Sequence, residues 1–534
     1  MWLQNSHWLV AVYLVLAFAL LFFRLGASSL LDWDEGLYAQ ISKEIVHSHD
    51  WMTLHWRGQS WFEKPPLFMW LTAVAYKIGG ISEFSARVVS ALAAVALFGM
   101  LPAFGKILGD RWIGILAGLI LLTNNEFLFR SRFGTTDILL TLFLWLAFYG
   151  FLRVEAGEPR GWLIVGAALG FAVLDKSMAA AVGPAVIGAS LLLDGPKKIK
   201  QTLLCPQFWV GILIAVVIVG PWHLMMHLEH GMAFWREYLG LQVVTRMREG
   251  VGSFYHGGRL FYLEQLQNDF YPWFFPGLFA VAIALRNVLR ERLVGLRLLL
   301  LNVAGVFALY TTVQTKNPWY MLPLYPALAL LTAALFLQAW KKSDAAALGA
   351  ILLGGLLDAL MAPPVVVAVF GALAVLAYLV LHRRQELAHR SVAAIIFGGI
   401  LLAGAATLPD LYHNRETDVA HFGKMIARAF PQNQQAILIF DRPYGAGAPG
   451  PALTYYSDRP YEWADKYEDL DKQFADGQPR TVFIAKKDLN EFTQGYDFVQ
   501  RMEYKTFLYG EATRRLPNSQ IPQSVAPAPS IEKQ

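Results

Sequence analysis

The chain is poor in cysteine and in charge, and both shortages exclude classes of protein. Cys205 is the only cysteine among 534 residues, which excludes an internal disulfide and a zinc or iron–sulfur site built from several thiolates. Only 16% of the residues are charged, and a formal net charge of +5 is too small over this length to indicate nucleic acid binding. No spacing of histidines and carboxylates matches a metal-binding motif either.

Apolar residues are what the chain has in abundance, at 56% of the total with 14% aromatic residues. This composition predicts an integral membrane protein, and each crossing needs about 20 apolar residues. Thirteen segments come close to this length, near residues 7–25, 87–107, 112–130, 135–152, 161–175, 177–193, 207–226, 271–285, 298–314, 318–340, 345–361, 362–381 and 391–407. The first has no basic residue before it and no small-residue cleavage site after it, so we expect a retained span and not a signal peptide.

The distribution of basic residues predicts which loops are cytoplasmic. Every second short loop carries them, as in the loops that contain Lys106, Arg153, Lys198, Arg290 and Lys341. Because positive loops stay inside, we expect the N-terminus inside. The long loops 26–86 and 227–270 and the C-terminal segment are then outside. Arg24, at the outer end of the first span, is the one residue that opposes this orientation.

Two further segments are predicted to lie outside the hydrocarbon. Residues 65–80 form an apolar segment of only about 14 residues before its glycines, too short for a span, and its pattern favours an amphipathic helix along the membrane surface. After residue 407 the pattern changes to alternating strands and helices, with strands expected at 436–441 and 481–487. We therefore divide the chain into a membrane domain (1–407), an outer α/β domain (408–516) and a polar, disordered tail (517–534).

The unusual polar residues all fall on the outer face of this topology. They are Asp32, Asp34, Glu35, Glu63, Lys64, Arg130, Arg132, Asp137, Asp175, Lys176 and Lys316, together with Arg246, Arg248, His256 and Arg259 in the second long loop. Carboxylates flanked by cations at a lipid boundary indicate a site for an anionic lipid headgroup and a reaction that needs a carboxylate.

Structural alternatives exist for most of these residues. Asp32 and Glu35 form the pattern of a capping box at the start of an amphipathic helix, which favours capping as the role of Asp32. Asp34 falls in the first turn, where it favours the helix dipole but is not needed as the cap, so structure and function are equally open for it. Asp137 could equally cap the fourth span, and Glu63 and Lys64 could be an ordinary interfacial pair. Trp319 and Tyr320 beside Lys316 are typical of the aromatic belt of membrane proteins, and His256 is typical of a solvated loop histidine.

Taken in order, the motifs DEGLYAQ, HDWMT, WFEKPPLFMWL, SRFGTTDILLT, LDKS and TKNPWYMLPLYPALALL resemble those of the GT-C glycosyltransferases that use lipid-linked sugars. The resemblance is to the bacterial aminoarabinose transferases that act on lipid A, and more distantly to the protein O-mannosyltransferases. It covers roughly residues 7–340. It implies a GT-C fold in the bacterial inner membrane and transfer of a sugar from undecaprenyl phosphate to lipid A, another glycan or a protein.

The resemblance also implies roles for single residues. Asp34 and Glu35 correspond to the catalytic acidic pair and Asp137 to a second acidic site, with Glu63, Tyr38 and His256 in support. Lys64 corresponds to a contact to the carrier phosphate, with Lys176, Lys316, Arg246 and Arg259 as further cations. A divalent ion shared by Asp34 and Asp137 is possible on this pattern, but two carboxylates are too few to predict one. The chain departs from the family at Leu37, where arginine is usual, and at Asp175 in its LDKS motif.

Two hypotheses from other functional classes compete with the prediction of an enzyme. A lipid-linked sugar flippase should carry inverted repeats and ionisable residues near the middle of the membrane. A scaffold for an assembly outside the membrane would leave WFEKPP and TKNPWY as interface anchors only. The clustering of charge at one face favours the transferase.

Overall fold

The computed structural model describes residues 7–31, 34–56, 58–245, 248, 258, 260–291, 293–342, 344–360, 372, 376, 394–402, 405, 417–429, 437–440, 451–459, 461–464, 467–504 and 507–515. The contacts divide the chain into two compact units. The membrane unit comprises residues 1–28, 45–54 and 60–414, and the C-terminal unit comprises residues 29–44, 55–59 and 415–534. The predicted first outer loop is therefore shared between the two units.

Most of the described residues up to residue 360 are helical. In chain order the elements are α1 (His7–Phe22), α2 (Asp34–Ser48), β1 (His55–Trp56), β2 (Gln59–Ser60), α3 (Leu67–Gly79), α4 (Glu83–Ile107), α5 (Arg111–Leu121), α6 (Asn125–Ser131), α7 (Thr136–Glu155), α8 (Gly161–Lys176), α9 (Val182–Leu193), α10 (Pro196–Leu203), α11 (Pro206–Trp235), α12 (Phe261–Asp269), α13 (Phe274–Arg290), α14 (Val294–Thr312), α15 (Tyr325–Lys342) and α16 (Ala345–Leu360). A π-helical segment follows α11 (Arg236–Thr245), and 3-10 turns precede α9 (Ser177–Ala181) and α15 (Pro318–Leu324).

Several of these helices are long and apolar enough to cross a membrane. Among the described residues six segments qualify, or eight when each of two bent helix pairs counts as one span. Three more apolar helices are shorter, namely Trp8–Phe22, Leu67–Gly79 and Ala346–Asp358. The chain is thus a multi-pass membrane protein. Of the predicted span near 362–381 the structure describes only residues 372 and 376, and of the span near 391–407 it describes residues 394–402 and 405, which are helical. The count of thirteen therefore stays a prediction.

The predicted span 112–130 is wrong as a single helix, because the chain bends by 85° between α5 and α6. The amide oxygen of Asn124 accepts a hydrogen bond from the N–H of Phe127 at 2.7 Å and so caps a new helix. The indole of Trp273 donates to the hydroxyl of Thr123 at 2.9 Å. Trp273 itself lies in the 111° bend between α12 and α13, so the two broken helices meet at their breaks.

The start of the predicted outer loop 227–270 is helical, because α11 continues to Trp235. Two polar residues in this last part of α11, Glu229 and His230, contact Thr53. The hydroxyl of Thr53 lies 3.3 Å from a carboxylate oxygen of Glu229 and 3.1 Å from Nε2 of His230. The helix is kinked at Gly231, where φ is +56°.

Ion pairs at the two ends of α7 show the direction of the helices beside it. Asp137, in its first turn, pairs with Lys176 at the end of α8. Glu155, in its last turn, pairs with Lys198 at 2.7 Å, after α9. These ends are about 27 Å apart at 1.5 Å per residue. α8 therefore runs antiparallel to α7, and α9 runs parallel to α7. The apolar run Gly161–Leu193 thus holds two crossings of opposite direction.

The C-terminal unit contains a five-stranded mixed sheet. Its elements are α17 (Asp418–Ala429), β3 (Ile437–Phe440), α18 (Pro451–Ser457), β4 (Tyr461–Ala464), α19 (Tyr467–Gln473), β5 (Arg480–Ala485), α20 (Leu489–Gly495), β6 (Tyr496–Tyr504) and β7 (Phe507–Arg514). The strand order is β4-β3-β5-β7-β6, with β3 parallel to β4 and β5 and the other pairs antiparallel.

Both faces of this sheet are covered. Leu438 and Ile484 belong to a core with Phe474, directly after α19, and Phe492 from α20. The adjacent Ile437 and Phe483 belong to a second core with Phe422 and Leu453 from α17 and α18, against which Trp56 also packs. Because successive strand residues point to opposite faces, the two cores lie on opposite sides of the sheet.

Candidate active site

A buried carboxylate marks one end of the membrane unit. Asp137 lies in the first turn of α7 and is 4% exposed. One of its carboxylate oxygens accepts a hydrogen bond from the hydroxyl of Thr135 at 2.9 Å, and the other accepts one from Nζ of Lys176. The hydroxyl of Ser90, from α4, in turn holds the carbonyl of Thr135 at 3.1 Å. Two residues predicted for the site, Asp137 and Lys176, thus form a single ion pair.

Two aromatic rings from the TKNPWY motif stack on cations from separate helices. The guanidinium of Arg130, at the end of α6, lies 4.2 Å from the centre of the Trp319 ring. Nζ of Lys176 lies 5.7 Å from the centre of the Tyr320 ring. Both distances are within the range of a cation–π interaction. The sequence suggested belt residues here, whereas the structure gives both rings contacts to the charged cluster.

Lys316 joins the same cluster through tyrosines. It is 5% exposed, and its Nζ donates to the carbonyls of Tyr310 and Thr311 at 3.0 and 2.7 Å. The Tyr310 and Tyr320 rings are 4.7 Å apart between centroids, which connects Lys316 to Lys176. Burial lowers the pKa of Lys316 from its ordinary value, because the charged ammonium loses hydration.

The structure adds a further buried acidic residue, Asp269, that the sequence did not indicate. Asp269, at the end of α12, accepts hydrogen bonds from the Tyr325 hydroxyl at 2.6 Å and from the Gln265 amide at 2.7 Å. Nearby, Nε of Arg130 donates to Glu126 at 2.7 Å. These residues come together because the two bent helix pairs meet, and no local sequence pattern signals that meeting.

The candidate catalytic pair that follows the first span lies in the C-terminal unit. Asp34 is the first residue of α2 and is half-buried. Glu35 is fully buried, and its carboxylate accepts a hydrogen bond from the N–H of Leu31 at 2.8 Å. Tyr38 is also buried, one turn further along the helix. Through this hydrogen bond, Glu35 holds Leu31, which precedes the helix, against the first turn of α2, as expected for a residue that takes part in capping. Its catalytic role stays a prediction.

The remaining predicted residues are placed only in part. Glu63 and Lys64 are half-buried in the turn before α3, beside Phe62, whose N–H donates to Glu237 at 3.3 Å. Arg246, His256, Arg259 and the predicted cap Asp32 lie outside the described residues. Within the part of the chain that the structure describes, no three histidine, cysteine or acidic side chains lie together as a metal site requires.

Comparisons with known proteins indicate the class of protein to which this chain is similar. A family model described as dolichyl-phosphate-mannose-protein mannosyltransferase matches residues 63–224. The undecaprenyl phosphate-alpha-4-amino-4-deoxy-L-arabinose arabinosyl transferase of Pectobacterium carotovorum is 27% identical over 333 residues, which cover 60% of this chain and 58% of that protein. The enzyme of the same name from Yersinia enterocolitica is 29% identical over 416 residues, covering 74% and 72%. The chain thus spans less than two thirds of the Pectobacterium relative.

Solved structures of other proteins superpose on nearly the whole chain. ArnT from Cupriavidus metallidurans bound to undecaprenyl phosphate superposes with a TM-score of 0.72 at 19% identity, covering 95% of this chain and 98% of that one. An oligosaccharyltransferase from Archaeoglobus fulgidus gives a TM-score of 0.60 at 12% identity, covering 91% and 70%. The chain therefore has the GT-C fold of polytopic membrane glycosyltransferases. Within that class it resembles the bacterial aminoarabinose transferases, which confirms the resemblance expected from its motifs.

Proposed function

We propose that this protein transfers a sugar from an undecaprenyl-phosphate carrier to an acceptor at the periplasmic face of the bacterial inner membrane. The acceptor proposed is lipid A or another lipopolysaccharide component. The observation that carries the proposal is the ion pair of Asp137 and Lys176, linked through Tyr320 and Tyr310 to the buried Lys316. These residues come from elements far apart in sequence, in a fold shared with an enzyme solved with undecaprenyl phosphate bound.

The position of the cluster supports a site at the outer face. Asp137 and Lys176 lie at the N-terminal end of α7, and Glu155 and Lys198 lie at its other end. Lys198 belongs to the basic segment that contains Lys197 and Lys200, and such segments stay in the cytoplasm. The opposite end of α7, with the candidate site, then faces the periplasm.

The proposed mechanism is a single displacement at the anomeric carbon. The bond from that carbon to the carrier phosphate breaks, and undecaprenyl phosphate leaves with the electron pair while the acceptor oxygen forms the new bond, with inversion. The developing negative charge on the phosphate is stabilised by Lys64, Lys176 and Lys316. If the acceptor is a hydroxyl, Asp34 takes its proton as general base. If it is a phosphate anion, no base is needed, and Asp34 stabilises positive character at the sugar carbon.

A direct transfer assay tests this proposal. We expect the purified protein in lipid nanodiscs, given lipid A and undecaprenyl-phosphate aminoarabinose, to release undecaprenyl phosphate and raise the acceptor mass by one sugar. Asp34→Asn and Lys64→Met should each lower the transfer rate by about 100-fold or more, since each removes a proposed contact to the reacting groups. An exposed control, Lys472→Met, should transfer like the wild type.

The outcome also separates the competing classes. Transfer retained in both Asp34→Asn and Lys64→Met would remove the proposed site. A flippase would move the lipid-linked sugar across the bilayer of a vesicle without changing the mass of any acceptor.

A protein acceptor is the second candidate, because the matching family model is described as a protein mannosyltransferase. Mass spectrometry of the cell envelope distinguishes the two acceptors. In a deletion strain, loss of a sugar mass from lipid A supports the first acceptor, and loss from periplasmic proteins supports the second.

A further inference from the structure

The segment that carries Asp34 is held by residues of the C-terminal α/β domain. The hydroxyl of Ser29 accepts a hydrogen bond from the N–H of Thr417 at 2.8 Å. The next residue, Leu30, donates its N–H to the hydroxyl of Tyr456 at 2.7 Å. Together with the contact from Leu31 to Glu35, three consecutive residues ahead of Asp34 have fixed partners.

A buried lysine holds the segment on the other side of Asp34. Lys43, two turns further along α2, is 6% exposed. Its Nζ donates to the carbonyl of Tyr455 at 3.0 Å and forms an ion pair with Asp458. It also lies 5.2 Å from the centre of the Tyr455 ring. Burying an ammonium is costly unless it is paired, so its placement among these partners fixes α2 along its length.

Close backbone packing lies between these two anchors. A Cβ added to Gly36 would come within 2.8 Å of the backbone nitrogen of Ala452, the second residue of α18. Contacts below 3.0 Å force a shift of the backbone, so only glycine permits this approach. Gly36 is two residues after Asp34, and the helix start therefore rests directly on the C-terminal domain.

We infer that the C-terminal α/β domain positions Asp34 for the transfer reaction, and that Tyr456 and Lys43 are its positioning residues. Neither side chain needs to touch a substrate, since both act through the backbone and helix that carry Asp34. This inference rests on the proposed function, and it gives that domain a part in the chemistry. A displacement of about 1 Å at a reacting group can cost up to about 100-fold in rate.

The experiment compares Tyr456→Phe and Lys43→Met in the full-length protein in nanodiscs, with undecaprenyl-phosphate aminoarabinose and lipid A as substrates. We expect kcat to fall about 10- to 100-fold in both variants. The KM for the lipid-linked donor should change less than about twofold, because the proposed phosphate contacts are elsewhere. Lys43→Arg, which keeps the charge, should recover part of kcat. The matched control is Glu511→Gln, which breaks an exposed ion pair with Arg501 in the same domain.

Hydrogen exchange gives a readout that does not depend on activity. The backbone amides of residues 29–44 should exchange faster in both variants than in the wild type, and at the wild-type rate in Glu511→Gln. Tyr456→Phe removes a single oxygen atom, so it keeps the test valid even if Lys43→Met does not fold.

The outcomes separate the inference from the proposed function. Wild-type kcat in both variants, while Asp34→Asn is inactive, would overturn positioning by the C-terminal domain and leave the transferase standing. Unchanged exchange in residues 29–44 would overturn the anchoring itself. A wild-type protein that folds but transfers no lipid-linked sugar would refute the proposed function, and the exchange result would still decide whether the anchors exist.

Discussion

The ion pair between Asp137 and Lys176 allows a quantitative prediction. Lys176→Met leaves the carboxylate of Asp137 at 4% exposure without its lysine partner. Breaking a buried pair by removing one partner costs about 3–5 kcal/mol, because the remaining charge is neither hydrated nor matched. The Thr135 hydroxyl still donates to Asp137 at 2.9 Å, so we expect the lower end of that range, about 3 kcal/mol.

A double-mutant cycle isolates this interaction. Asp137→Asn alone should also destabilise the protein, since it removes the charge of the carboxylate that pairs with the Lys176 ammonium. The double variant should be more stable than the sum of the two losses predicts by about 2 kcal/mol, since both charges of the pair are then absent. The exposed pair of Lys472 and Asp469 is the control, and its removal should cost less than about 1 kcal/mol.

Unfolding of the purified protein in mixed detergent micelles, followed by tryptophan fluorescence, measures these free energies. Losses that add within about 0.5 kcal/mol would refute the coupling of Asp137 and Lys176. A single-variant loss as small as that of the exposed control would refute the argument from burial.

Two further perturbations test the packing of the membrane unit with the same assay. Gly166→Ala should destabilise the protein by about 1–3 kcal/mol through overpacking, since the added Cβ would come within 1.9 Å of the carbonyl oxygen of Gly211 on α11. Gly188→Ala is the control, because its added Cβ meets no atom within 4 Å and should not destabilise the protein. Arg297→Met should cost about 3–5 kcal/mol, because this buried guanidinium donates to both oxygens of Asp194 at 2.6 Å, and Arg297→Lys should recover only part of the loss. Equal stability of the two alanine variants, or full rescue by lysine, would contradict these assignments.

The sequence predicted those parts of the candidate site that depend on composition and local pattern. Lys176 and Asp137 could be assigned to one face because basic loops fix the orientation and apolar runs fix the helices. The break at Asn124 could not, because residues 112–130 are apolar enough for a span, and the bend depends on a cap and on a distant indole at Trp273. The same limit applies to the anchors of α2, since Leu30 and Tyr456 are 426 residues apart.

Lys176 and Lys316, two of the lysines proposed to bind the carrier phosphate, are not equivalent. Lys176 already donates to the carboxylate of Asp137, so much of its field is cancelled before a phosphate arrives. Lys316, in the contacts described for it, donates to carbonyls and faces a tyrosine ring, with Nζ 5.3 Å from the centre of Tyr262. Carbonyl groups orient an ammonium without neutralising it, and burial strengthens its attraction for an anion. We therefore expect Lys316 to be the stronger source of positive potential for the phosphate, and Lys176 chiefly to hold Asp137 in place.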